Sequence, residues 1–375
     1  MKPTESKEPV SLEWQALARA LHGDEALARE TIERSPNLAA GSTESTKETR
    51  KDALLARGWA SLPASYRPPA VAPSLDEAQA WCKQLAETHY ENFHVASWFL
   101  PKPLLPHFHA IYAYCRVSDD LGDEVADTEV ALALLDWWGR ELDACYAGTA
   151  RHPVFVALAE TIRECDIPKE PFADLLVAFR QDQTVTRYQT MDDVLAYCRY
   201  SANPVGRLVL YACGEASDSD RDEKFRLSDA TCTALQLANF WQDVRSDLLT
   251  RNRIYIPQKD MEFFEVREDD MKAGVATDSF RGMLRTEVAY ARTLFDEGLL
   301  LIGMVRRDLA IDLDLFSRGG LEILNAIEKQ DYDVLSARPS ISKSTKMGLA
   351  LRAASAKLLP FLSLGKSSRA AESAD

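Results

Sequence analysis

Two stretches of this chain place acidic side chains at helical spacing inside otherwise apolar sequence. In IYAYCRVSDDLGDE, residues 111–124, Asp119 and Asp123 stand four residues apart. On a helix they share a face with Tyr112 and Arg116, so both carboxylates can converge on one cation. Hard oxygen ligands in that arrangement suit Mg2+, which keeps waters and completes its shell with phosphate oxygens. Arg116, one turn earlier, can fork onto the same phosphate. In LQLANFWQDVRSDLLTRNRIYIP, residues 235–257, Gln236, Asn239, Asp243 and Asp247 fall at i, i+3, i+7 and i+11. They form one polar stripe over three turns, opposite Leu235, Leu237, Phe240, Trp241 and Val244.

A lone Asp-x-x-x-Asp is most often a solvated helix face. Here the first pair is flanked by Phe108, Ile111, Tyr114, Cys115 and Leu121, and carboxylates on a buried helix need partners. Two such helices about 115 residues apart carry more weight than either one. Facing each other across a bundle, they would make a metal-lined mouth for a diphosphate. Bound metal would stabilise the leaving group as the carbon–oxygen bond breaks. The carbocation left behind needs a dry, aromatic-lined cavity, for which the chain has seven Trp, twelve Tyr and fourteen Phe.

The elements that must position these groups are helices. Ser74, ahead of Asp76 and Glu77, reads as a helix N-cap. Helical periodicity then runs to about Gln330, with prolines between segments and no alternating strand pattern. The expected architecture is all-α, a single-domain helical bundle around a central apolar cavity. Residues 1–75 are expected to be an N-terminal extension, largely disordered or weakly helical, with a Pro-punctuated linker at Pro63, Pro68, Pro69 and Pro73. Residues 76–338 form the domain, and 339–375 a basic C-terminal tail. From Arg338 onward seven Lys/Arg oppose Glu372 and Asp375 among interspersed apolar residues. Such a segment can lie on an anionic membrane surface, or pack as a last helix on the domain.

Composition removes other classes. A net charge of −14 argues against nucleic acid as a partner. Seven scattered cysteines without a Cys-x-x-Cys pair fit a reducing cytoplasm better than a disulfide framework. The N-terminus has no signal-peptide core, and the longest apolar run, Gly298 to Val305, is far too short to span a bilayer. The expected location is cytoplasmic, with peripheral contact to the inner face of the cytoplasmic membrane.

At this point the ordered blocks resemble the squalene/phytoene synthase family. HYENFHVASWFLP (89–101), YAYCRVSDDLGDE, YCRYSANPVG (197–206), QLANFWQDVRSD with RIYIP (253–257), and RPSISKSTK (338–346) carry the resemblance, over about Ala80 to Lys346. The resemblance implies the isoprenoid synthase helical fold and the joining or rearranging of isoprenyl diphosphates with two or three Mg2+. It makes Asp119, Asp123, Asn239, Asp243 and Asp247 the metal ligands. It puts His89, Tyr90, Asn92, Gln236, Arg253 and Tyr255 against diphosphate or substrate, and Tyr112, Arg116, Asp120 and Asn203 in catalysis.

Glu91-Asn92-Phe93, Asn203-Pro204 and Phe240-Trp241-Gln242 lean, within the family, toward members that make hydroxysqualene. The implied reaction is loss of diphosphate from presqualene diphosphate, rearrangement of the cyclopropylcarbinyl cation, and capture by water. That chemistry needs no NADPH. Tyr90, Asn92 and Asn203 are the candidates to position the water. Many relatives have Arg where this chain has Gln242, and a Ser pair where it has Tyr90 and Asn92. The competing readings are a presqualene diphosphate or phytoene synthase, and a non-catalytic assembly-factor relative that has lost its acids.

Overall fold

The computed structural model describes residues 44–88 and 101–358. Among them are fourteen α-helices and no strand; Arg187 and Ile254 form one isolated parallel bridge. The helices are α1 (Glu44–Ser61), α2 (Leu75–Thr88), α3 (Leu105–Asp123), α4 (Thr128–Tyr146), α5 (Pro153–Cys165), α6 (Glu170–Gln181) and α7 (Met191–Ser201). They continue as α8 (Asn203–Ala212), α9 (Arg221–Arg251), α10 (Gln258–Phe263), α11 (Glu268–Ala273), α12 (Asp278–Gly298), α13 (Arg307–Lys329) and α14 (Lys343–Leu358).

Local chemistry sets the helix ends. Ser74 and Glu77 exchange hydrogen bonds at the start of α2, as the expected cap requires. Asp127 caps α4 by accepting from the amides of Glu129 and Val130. Thr190 and Asp193 close a reciprocal capping box on α7. α9 stops at Asn252, whose φ of 52° is a left-handed turn that asparagine tolerates.

The core falls into two clusters. One packs α2 to α6 around Tyr114, Trp138, Phe155 and Phe172; the other packs α7, α9 and α12 around Trp241, Phe280, Met283 and Phe295. α9, 31 residues and about 47 Å long, is held by α8, α12 and α13. Glycines permit the closest approaches. A Cβ at Gly320 of α13 would collide with the Phe295 ring and with Leu235, and one at Gly206 of α8 with Ser228 and Cys232 of α9.

The N-terminal end of the described chain differs from the expected boundary, and the C-terminal end takes the second of its two expected forms. Residues 44–66 belong to the packed body. α1 lies on α4, Trp59 meets Trp137 edge to face at 4.7 Å, and Tyr66 is 2% exposed. The Ser/Thr/Glu/Lys-rich residues 41–50 conceal α1, because the apolar contacts it makes come from only a few residues, Leu54, Leu55 and Trp59 among them. Residues 1–43 lie outside the described residues. At the other end α14 packs on α13, with Ala353 buried against Ile311 and Leu315. No described helix is long and apolar enough to cross a membrane.

Candidate active site

α3 and α9 each bury one face and turn the acidic face into a shared cavity. On α3, Ile111, Tyr114, Val117 and Leu121 are buried, while Tyr112, Arg116, Asp119 and Asp123 line the opening. On α9, Leu237, Trp241 and Val244 are buried, while Gln236, Asn239, Asp243 and Asp247 line it. The cavity holds about 1000 Å³. The turn at Asn252 returns the chain past the same opening, so that Arg253 and Tyr255 also line it. The stripes from the two distant segments therefore face one space.

The carboxylates are crowded. Burial, and then the neighbouring Asp123, push Asp119 up to about 6. Burial and then Asp243 do the same to Asp247. Arginines offset part of this charge. Arg251 pairs with Asp123 at 2.8 Å, and Arg253 stands 3.9 Å from the same carboxylate. Arg338, from the segment after α13, forks onto both oxygens of Asp243, one of them at 2.9 Å. Phe240 and Tyr255 stack at 3.6 Å between ring centroids and floor this mouth.

A second, apolar cavity of about 340 Å³ adjoins the first, sharing Tyr112, Cys115 and Val205 with it. Phe108, Ile111, Val209, Leu235, Leu309 and Phe316 wall it. An acid-rimmed mouth leading to a greasy recess can hold a charged head and a hydrocarbon chain at once.

Two expected catalytic residues lie elsewhere. Asp120 points away from the cavity, 4% exposed, and accepts from the Tyr66 hydroxyl at 2.5 Å and from Arg116 Nε at 3.1 Å. One step along a helix rotates a side chain by about 100°, so adjacent Asp119 and Asp120 cannot both face the mouth. Asn203 is buried where α8 begins and accepts from the Thr233 hydroxyl at 2.9 Å, outside both cavities. His89, Tyr90 and Asn92 lie outside the described residues.

Besides Arg338, the structure adds two groups that periodicity did not reveal. Asp182, just past α6, lines the mouth and is pushed up to about 6, first by burial. Its carboxylate accepts from the Tyr197 hydroxyl at 2.9 Å. Arg251 closes over Asp123. Asp182 stands at a helix end with no acidic partner at i+4, so only the fold brings it to the others.

The family model for squalene/phytoene synthase matches residues 86–345. The chain belongs to the squalene/phytoene synthase family. Members of this family bind isoprenoid diphosphates and generally need Mg2+ to ionise them. Among solved structures, the squalene synthase HpnC of Alicyclobacillus acidocaldarius is 46% identical, with a TM-score of 0.65 over 73% of this chain and 98% of that one. A dehydrosqualene synthase in complex with a ligand is 25% identical, with a TM-score of 0.67 over 75% of this chain and 96% of that one. The 15-cis-phytoene synthase of Synechococcus elongatus is 29% identical over 75% of this chain and 94% of its own length. The phytoene synthase of Arthrospira platensis is 30% identical over 71% and 89%.

The donor set fits the metal that the family implies. Among the described residues no group of three or more His, Cys, Asp or Glu forms a closed cage. The acids come instead as pairs on opposite walls, with Asn239 beside one pair; no His lines the mouth, and Cys115 sits at its junction with the apolar recess. Open, all-oxygen half-sites suit Mg2+ that shares its shell with phosphate and water. Oδ1 of Asp182 is buried without a hydrogen-bond donor, with Arg253 3.8 Å away, so the mouth has an acidic oxygen to spare.

Proposed function

We propose that this enzyme converts presqualene diphosphate and water to hydroxysqualene and diphosphate, as a step of squalene or hopanoid biosynthesis. The observation that carries the reading is the 46% identity to a squalene synthase that this chain covers almost end to end, on a site whose acidic mouth adjoins an apolar recess. Asp119 and Asp123 on one wall, and Asn239, Asp243 and Asp247 on the other, would hold two or three Mg2+. Bound metal would supply electrostatic stabilisation to the departing diphosphate. Arg116, Arg251 and Arg253 would neutralise the diphosphate's remaining charge, while Tyr112 and Gln236 orient it at the junction of the two cavities. The Phe240–Tyr255 stack presents ring faces to the cation that forms. The apolar recess holds the hydrocarbon arms and restricts water to the reacting end. His89, Tyr90 and Asn92 remain the candidates for the entry segment and for positioning the water.

The test is product analysis with Mg2+ and no reductant. Presqualene diphosphate should yield hydroxysqualene, and farnesyl diphosphate alone should yield no presqualene diphosphate. Condensation of farnesyl or geranylgeranyl diphosphate would instead select a head-to-head prenyl transferase. That second reading is favoured by the phytoene synthases among the relatives. Absence of Mg2+-dependent diphosphate release from every substrate would select the assembly-factor reading. We further propose a cytoplasmic enzyme that rests on the inner membrane face through its basic C-terminal segment. Met347 and Leu351 of α14 are exposed beside Lys343 and Lys346 there, and the hydrocarbon product belongs in the bilayer.

A further inference from the structure

Gln242 sits next to Asp243 but faces the other way, 4% exposed and outside the cavity. Its two ends are both used, and on the same distant segment. Nε2 donates to the Pro339 carbonyl at 2.7 Å, and Oε1 accepts from Arg338 Nη2 at 3.0 Å. Arg338 in turn spreads its guanidinium over both oxygens of Asp243. A fork so placed takes the lone pairs that a metal on Asp243 would need. The Arg338 side chain is 58% exposed and its neighbour Pro339 is tethered, so the guanidinium can swing while its backbone stays at the rim.

We infer that Arg338 is an exchangeable counter-cation of the second acidic wall. It covers Asp243 in the ligand-free enzyme and moves onto the diphosphate when divalent metal takes the carboxylate, and Gln242 is the positioning residue that keeps it within reach of both. The inference rests on the reading of this mouth as a metal–diphosphate site. It adds a competition between one arginine and the metal, which a static diphosphate contact would not produce. Gln suits this position because a cation at 242 would repel Arg338, whereas the amide offers one acceptor and one donor.

The competition gives Arg338→Gln opposite effects on two ligands. Mn2+ serves as the probe, followed by its electron spin resonance in full-length protein without substrate, and pyrophosphate binding is measured calorimetrically at saturating Mg2+. Arg338→Gln should bind Mn2+ several-fold more tightly than wild type and Mg2+-pyrophosphate about tenfold more weakly, roughly one charge-assisted hydrogen bond. Gln242→Met, which keeps the volume and loses both hydrogen bonds, should move both affinities the same way by less. Arg338→Lys should restore part of the pyrophosphate affinity. Mn2+ affinity unchanged or weakened in Arg338→Gln, or pyrophosphate affinity unchanged, overturns the inference. A wild-type enzyme that binds neither probe overturns the site reading itself, so the two failures are distinguishable.

Discussion

The two acidic helices solve the same problem differently. On each, the residue beside a cavity acid turns into the core and fastens a segment from near one end of the domain. On α3 that residue is Asp120, which holds Tyr66 of the N-terminal segment. On α9 it is Gln242, which holds Pro339 and Arg338 of the C-terminal segment. The Asp120 anchor is charged and shares Arg116 with the cavity face, and no residue of 44–66 lines the mouth. The Gln242 anchor is neutral and carries a guanidinium round to a cavity acid. The first wall is therefore braced from behind, whereas the second is covered from in front. A charged anchor suits a joint that stays closed, and a neutral one suits a cation that must leave.

The largest effect should come from the acids on which both walls depend. Asp119→Ala and Asp243→Ala should each lower kcat by about 10³-fold or more, with circular dichroism and Tm close to wild type. Full activity in both would break the two-walled site. Removing divalent metal with EDTA should abolish diphosphate release, and Mg2+ should restore it.

Arg116→Lys comes next. Arginine here spans Asp120 and Asp119, the latter at 3.6 Å, and an ammonium cannot reproduce the fork. Activity should fall about tenfold to a hundredfold, a loss of roughly 1.4 to 2.7 kcal/mol in transition-state binding. A change in KM alone would place Arg116 in ground-state binding only.

Tyr66→Phe sharpens the contrast from behind the first wall. It removes a buried hydrogen bond to a carboxylate and should cost about 1.5 to 3 kcal/mol of stability by urea denaturation, with kcat nearly unchanged. A large loss of kcat at unchanged stability would mean that Asp120 serves the reaction after all.

The effect furthest from the chemistry lies behind the second wall. Glu287 of α12 is buried with Asp260 as a hydrogen-bond neighbour, and burial pushes it up from 4.5 to about 8. Because the native carboxyl holds its proton where the unfolded one has lost it, its contribution to stability is full below about 4.5. That contribution declines as pH rises toward about 8. Glu287→Gln should flatten this slope, and urea midpoints at pH 5 and pH 8 would measure it. An unchanged slope would place the proton on another group.

Much of this site was legible before any coordinates. Helical spacing put Asp119 with Asp123 and Arg116, and Asn239 with Asp243 and Asp247, because a 3.6-residue period fixes which side chains share a face. The same rule separates Asp119 from Asp120, yet the resemblance carried both over together, and Asp120 proved to be a structural anchor. Asn203 lies elsewhere for another reason: it entered as a candidate to position the water, but only packing shows that its amide meets Thr233 and not the cavity. α1 escaped because its polar sequence covers few apolar contacts.

By itself, then, the sequence determined the helices from Ser74 onward in outline, the buried and acidic faces of the two that carry the site, and the family, since each rests on local periodicity or on ordered motifs. Tertiary structure alone decided that the acidic faces meet, that Asp182 joins them, and that Arg251 and Arg338 cover them. Those pairings link residues tens to more than a hundred positions apart. Nothing in local spacing encodes which distant cation will lie beside a given carboxylate. That depends on how whole helices pack, through contacts such as Gly206 and Gly320 against their neighbours, and on where the chain leaves them.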